Sequence, residues 1–405
     1  MMATVPFVLA LLAGSVALAW TGLALRLLGR IDAYRPLSAS ADPTPTEAPL
    51  IDVVVPAHNE ERDIESTVTS ILAQDYPALH LTVIDDQSVD ATGAIVDRLE
   101  ARQRDAPMKT HSLRVIHGVE RPEGWVGKTW ALHQGVADAR AEWLLFVDGD
   151  IHLHPRAFAT AWRKAQDRGA DLVSFLARPA CDSFWQGTIA VSFMQVLAQL
   201  FPLDRVNDPR RAEAIAAGGF ILVRRSVYER SGGHEGVRRE IIEDIQLARR
   251  IKGVGGRLSV HLAPDLVWTH MYGGFGDIWR GLRKNAYAGM DYRFHKYLVG
   301  SVVALLMAWA PPLALAWGLS GIVSPLDAHG RPALWIGLGL WGWLAQAVAS
   351  APMIRYLKLS APFAFSLPAG ITAYVAIATA SVWHHHRGRV LWKERVYDAR
   401  IVNPP

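Results

Sequence analysis

Four stretches of the chain, 4–25, 297–326, 332–354 and 359–386, contain no Asp, Glu, Lys or Arg. Each reaches or exceeds the ~20 residues needed to cross ~30 Å of hydrocarbon, which excludes a protein with no membrane part. Between them the pattern changes. Residues 51–55 and 81–84 are short β-rich apolar runs, and 60–73 places Ile64, Val68, Ile71 and Leu72 on one helical face, so this part reads β-α-β. Further strands are predicted at 143–147, 172–176 and 219–223, giving an α/β fold with a mainly parallel sheet covered by helices. Ligands of such sheets bind at the carboxyl ends of the strands.

The first apolar stretch is longer than a usual signal-peptide core and no basic residue precedes it, so it reads as a retained anchor. Arg26 and Arg30 follow it and favour a cytoplasmic position for what comes next. Residues 36–49, rich in Pro, Ala, Ser and Thr, read as a linker. The organisation expected is an anchor at 1–30, a linker at 31–50, a catalytic domain at 51–296, membrane or interfacial helices at 297–386 and a basic tail at 387–405. Three crossings after a cytoplasmic domain would leave the tail outside, yet Arg387, Arg389, Lys393 and Arg395 favour inside. Either one stretch is re-entrant or interfacial, or the Pro311-Pro312 pair splits the first into two short pieces.

Composition narrows the function. Lys and Arg number 42 against 38 Asp and Glu, a formal charge of +4 with no basic block, which sets nucleic acid aside. One cysteine, Cys181, permits no internal disulfide, and zinc-type Cys/His spacing is absent, in keeping with a reducing compartment. The apolar stretches hold no internal charge of the kind that marks a transport path.

Polar motifs stand where the first three long strands end. Pro56-Ala57-His58-Asn59-Glu60 follows the first, Asp85-Asp86-Gln87-Ser88 the second, and Asp148-Gly149-Asp150 the third. Alone, each reads equally as a helix cap or polar turn. Together they describe the rim of one pocket. Asp-x-Asp suits a hard divalent cation, which takes one or two carboxylates and completes its shell with water and substrate phosphate. Gly127-Lys128 opens a helix and suits an anionic ligand, but Pro122 stands where a Walker loop needs glycine, which disfavours an ATPase.

This ordered set resembles the family 2 glycosyltransferases, inverting enzymes with a GT-A fold that use nucleotide-sugars. The resemblance spans 51–296 and implies a nucleotide site at Pro56, Ala57, Asn59, Glu60, Asp85 and Asp86, with Lys128 near the nucleotide and Asp148 near ribose or metal. It further implies a divalent ion, Mg²⁺ or Mn²⁺, on Asp150 and Asp148, with His270 as a further candidate ligand, and a UDP-sugar as the favoured donor. A late Glu-Asp, matched by Glu243-Asp244, supplies the base that removes the acceptor proton, and Gly218-Gly219-Phe220 resembles the acceptor-side glycines. Processive members carry Gln-x-x-Arg-Trp; here Trp279-Arg280 to Gly289 stands instead, which argues against processivity. Arg280, Arg283 and Lys284 remain candidates to neutralise the diphosphate leaving group.

The later motifs, at 124–135, 280–289 and 390–397, are most similar to the hopene-associated glycosyltransferases. That implies an enzyme of a bacterial inner membrane, its catalytic domain cytoplasmic, moving one sugar to a hydroxyl of a membrane lipid such as a hopanoid. Apolar residues 184–203 read either as an interfacial segment that admits lipid or as a buried core helix. Alternatives are transfer to polyprenyl phosphate, and a non-catalytic scaffold or sensor that binds nucleotide-sugars.

Overall fold

A computed structural model describes residues 4–40, 47–105, 111–270, 272–323, 331–387, 389–392 and 395–398. Lys393 and Arg400 of the basic tail, the middle of the linker and the end of the 297–326 stretch lie outside them. The chain forms two compact units. A sheet unit comprises Pro36–Ala180, Leu200–Gly273 and Trp383–Pro405; a helical unit comprises Met1–Arg35, Cys181–Gln199 and Gly274–Val382.

The strands of the sheet unit are β1 (Ile51–Ala57), β2 (Leu79–Asp85), β3 (His111–His117), β4 (Trp143–Phe146), β5 (Ile151–Leu153), β6 (Leu172–Leu176), β7 (Arg178–Pro179), β8 (Ile221–Arg224), β9 (Leu258–Leu262) and β10 (Val267–Thr269). Seven form one sheet in the order β3-β2-β1-β4-β8-β6-β9, and β5-β10-β7 form a smaller one. Only β8 runs antiparallel, against β4 and β6, so the sheet is mainly parallel as expected. Its strands read as continuous apolar runs because helices cover them; Val53, Leu81, Leu145 and Phe175 are buried.

Strand order reverses about β1, with β2 on one side and β4 on the other. Register pairs Ala57 with Asp85 and Val54 with Phe146, so the three polar motifs emerge at one sheet edge. That is the switch point where such folds bind ligands. Helix Gly127–Val136 packs against the same strands with no room for a side chain at Gly135, where a Cβ would lie 2.4 Å from Ile84 and 2.5 Å from Val54. Glycine there seats the helix, and with it Lys128. The described part of the linker is docked, Leu37 donating its N–H to Leu262 O at 2.7 Å and Ser40 to Thr160 Oγ1 at 3.1 Å.

In the helical unit, Phe7–Leu28, Phe294–Gly321 and Pro332–Tyr356 are long and apolar enough to cross a membrane, by length and composition. Helix Leu367–His386 is not among these. Pro311-Pro312 does not split the helix around it, which runs unbroken from Phe294 to Val323. The prolines cannot donate to Met307 O and Ala308 O; Trp20 Nε1 donates to Met307 O at 2.8 Å, and Gln346 Nε2 lies 3.3 Å from Met307 O and 3.4 Å from Ala308 O. Neighbouring helices thus satisfy the freed carbonyls. Helix Phe184–Leu200 belongs to this unit rather than to the sheet core, and a Cβ on Gly370 would meet Thr188 O at 2.3 Å.

Candidate functional site

The loops after β1 and β2 lock together. Asn59 N–H donates to Ser88 Oγ at 3.0 Å, Val89 N–H to Asn59 Oδ1 at 2.9 Å and Glu60 N–H to Thr92 Oγ1 at 2.8 Å. Asn59 and Gln87 take left-handed backbone, φ 51° and 57°, which Asn tolerates better than most residues. Asp85 and Asp86 are buried at the end of β2. Asp85 accepts the Ser88 N–H at 3.1 Å and faces His117 Nδ1 at 3.3 Å; His117 reaches Asp97 with its other nitrogen at 3.0 Å. Burial pulls the His117 pKa down, but the two carboxylates outweigh it and hold it above the ordinary value.

At the carboxyl end of β4 the chain turns through Asp148-Gly149-Asp150. A Cβ at Gly149 would lie 3.2 Å from both Pro56 O and Glu60 Cγ, so this turn sits directly on the motif after β1. Lys128 Nζ lies 2.6 Å from Asp148 Oδ1 and 2.7 Å from Glu243 Oε1. Burial lowers the lysine's pKa; Asp148, Glu243 and Asp244 together raise it well above the ordinary value, so it stays charged.

Glu243 and Asp244 open helix Glu243–Gly253, where the unsatisfied N–H groups and the helix dipole favour acids. Asp244 Oδ2 accepts the Gly218 N–H at 2.9 Å and Oδ1 accepts the Ile245 N–H at 2.8 Å. Burial and then the neighbouring Glu243 raise the Asp244 pKa to about 6, opposed by Lys128 and these two hydrogen bonds. The loop before this helix also supports the lysine helix, since Arg238 O accepts from Val126 N at 2.7 Å and from Thr129 Oγ1 at 2.9 Å.

The structure therefore brings Lys128, Asp148, Glu243, Asp244 and Gly218 into one cluster. Asp150 accepts from Thr269 Oγ1 at 3.2 Å, and His270, next in sequence, has Nδ1 3.5 Å from His152 Nε2. Burial and then His270 lower the His152 pKa. Among the described residues no three His, Cys, Asp or Glu side chains form a self-sufficient metal cage. Arg280, Arg283 and Lys284 lie on helix Phe275–Ala286 of the helical unit, where Arg280 pairs with Asp277 at 2.5 Å. Sequence reasoning missed Tyr228 and His234. The histidine is buried against Phe146 with ring centroids 4.6 Å apart, and Tyr228 Oη lies 2.8 Å from its Nδ1. No periodicity marks that pair.

Residues 52–232 match Glycosyl transferase family 2. The chain is also 26% identical over 273 residues to the 4,4'-diaponeurosporenoate glycosyltransferase of Staphylococcus aureus, an alignment covering 66% of this chain and 69% of that protein. The chain is a glycosyltransferase, with its family 2 match over residues 52–232. Its fold resembles that of the mannosyltransferase PcManGT from Pyrobaculum calidifontis, solved in complex with GDP-Man and Mn²⁺, with TM-score 0.52 and 21% identity over 93% of this chain and 99% of that one. For this glycosyltransferase the oxygen donors at Asp148 and Asp150 fit a hard divalent cation, which needs few protein ligands where a substrate phosphate supplies the rest.

Proposed function

We propose that this glycosyltransferase is a membrane-bound inverting enzyme that moves a single sugar from a nucleotide-sugar, a UDP-sugar by preference, to a hydroxyl of a membrane lipid of hopanoid type. The observation that carries the reading is the setting of Asp244. It is a carboxylate raised to about 6, held by the N–H groups of Gly218 and Ile245 and set beside Lys128, Asp148 and Glu243. A carboxylate tuned toward neutrality is a better general base than an ordinary one.

In this reading Asp244 takes the proton of the acceptor hydroxyl. The acceptor oxygen then bonds the anomeric carbon from the face opposite the leaving group, and the bond to the diphosphate breaks with its electron pair on the diphosphate. Pro56, Ala57, Asn59, Glu60, Asp85 and Asp86 hold the nucleotide. Asp148 and Asp150 would hold Mg²⁺ or Mn²⁺, whose charge offsets that of the diphosphate. Lys128 offsets part of the charge of Glu243 and Asp148 beside the base.

Three crossings would suit the basic tail. One by the N-terminal helix and two by Phe294–Gly321 and Pro332–Tyr356 would return Arg387, Arg389 and Arg395 to the side on which the first crossing leaves the chain. Arg26 and Arg30 make that side the cytoplasm, at the inner membrane of a bacterium.

A second reading is favoured by the relative named for diaponeurosporenoate, an acid. An acceptor that is already an anion, such as a lipid carboxylate or a polyprenyl phosphate, needs no base. Incubating membranes containing the wild-type protein or Asp244→Asn with labelled UDP- and GDP-sugars separates the two. Loss of transfer in the variant supports the hydroxyl acceptor; transfer that survives nearly intact supports the anion.

A further inference from the structure

Beside the Lys128 cluster lies a small pocket whose polar lining includes Lys128, His234, Glu243 and Asp244. Its aliphatic wall comes from Leu132, Ile221 and Leu247. It has about 10 Å³ of room for the centre of a water molecule, close to the ~10–15 Å³ that one water needs on that measure.

His234 is 2% exposed. Tyr228 Oη accepts the His234 backbone N–H at 3.0 Å and lies 2.8 Å from Nδ1, to which it can donate its own hydrogen. Nδ1 is then an acceptor and Nε2 carries the ring hydrogen. Burial, then Lys128 and His133, lower the His234 pKa to about 3, so the ring is neutral wherever the enzyme works. No described residue accepts from Nε2. Lys128 likewise has three hydrogens and meets Asp148 and Glu243 with two of them. A buried donor such as His234 Nε2–H needs an acceptor, and it borders a pocket with room for a single water next to the third hydrogen of Lys128.

We infer that this cavity holds one ordered water, which accepts from His234 Nε2–H and from the third hydrogen of Lys128 and donates to the Glu243 and Asp244 carboxylates. Four polar partners are the most a buried water takes. His234 is thereby a positioning residue for the reaction, acting through the water on the carboxylate pair, and Tyr228 selects the tautomer that allows it. The inference rests on the reading of Asp244 as the base.

The test uses the full chain in lipid nanodiscs, as wild type, Tyr228→Phe, His234→Phe and His234→Gln. Density for a water within ~3.2 Å of both His234 Nε2 and Lys128 Nζ is expected in the wild type and absent from His234→Phe. In glycosyl transfer, His234→Phe and Tyr228→Phe are expected to lower kcat about ten- to a hundredfold with the donor KM within about twofold, and His234→Gln, which keeps an N–H donor, to recover most of the loss. An empty cavity in the wild type overturns the inference. So does a kcat unchanged in both Phe variants while Tm falls, because the pair is then core packing alone. A wild type that shows the water but transfers no sugar instead counts against the functional reading.

Discussion

Asp244 accepts a hydrogen bond from the backbone N–H of Gly218 at 2.9 Å, and this contact ties the candidate base to the segment that leads into β8. Gly218 is equally close to the rest of the cluster. A Cβ there would lie 2.7 Å from Lys128 Nζ, 3.2 Å from Asp148 Oδ2 and 3.5 Å from Asp244 Oδ2. Gly218→Ala must displace a lysine that two carboxylates hold. We expect kcat to fall about ten- to a hundredfold with little change in Tm; steady-state kinetics beside a thermal melt checks this.

The pH profile follows from Asp244. The group must be ionised to take a proton, so kcat/KM is expected to fall as pH drops through about 6 and to level off above it. Stability moves the other way. A carboxyl whose folded pKa exceeds its ordinary 3.8 binds more protons folded than unfolded, so its contribution to stability is lost as pH rises from about 4 to about 6. A profile of kcat/KM that is flat from pH 5 to 8 would sink the assignment.

Lys128 holds Asp148 and Glu243 together, with its side chain 19% exposed and that of Glu243 8%. Lys128→Met leaves three carboxylates facing one another with no cation. Removing one partner of a buried ion pair costs about 3–5 kcal/mol, so the denaturation midpoint should drop clearly. The double variant Lys128→Met, Glu243→Gln should recover part of that loss, and a midpoint unchanged in the single variant would contradict the cluster as described.

Much of the sheet unit was legible because β1, β2 and β4 are apolar runs that pass directly into Asn, Asp and Glu. Strand β3 was not, since His111–His117 lies at a sheet edge and mixes buried with exposed positions. The direction of β8 was equally hidden, because a short buried run reads the same either way. The helix expected over 60–73 begins later, at Ile64, since the polar turn after Asn59 is spent on bonds to the β2 loop. Glu243 and Asp244 were visible as an acidic pair, but their link to Lys128 spans more than a hundred residues and leaves no local trace. The unbroken helix through Pro311-Pro312 was illegible for the same reason: its substitute donors, Trp20 and Gln346, come from other helices.

That membrane helix supplies a prediction of its own. Trp20→Phe and Gln346→Leu each remove a donor to the carbonyls freed by the proline pair, at about 1 kcal/mol apiece in a membrane interior. Both should lower Tm by a few degrees, and together by more than either alone, in detergent or nanodiscs. Unchanged melting in the double variant would show that the helix does not depend on them.

Chelation bears on Asp148 and Asp150. Treatment with EDTA should abolish transfer, and excess Mn²⁺ or Mg²⁺ should restore it, while Asp150→Asn should raise the metal concentration needed for half-maximal rate. Full activity in EDTA would remove the ion from the account.

The most direct test is mass spectrometry of membrane lipids after incubation with the purified enzyme and a nucleotide-sugar. The expected result is a lipid heavier by one hexose or one N-acetylhexosamine, formed by the wild type and not by Asp244→Asn. No such product with any UDP- or GDP-sugar, or equal product from both proteins, would contradict transfer of a single sugar to a lipid hydroxyl with Asp244 as its base.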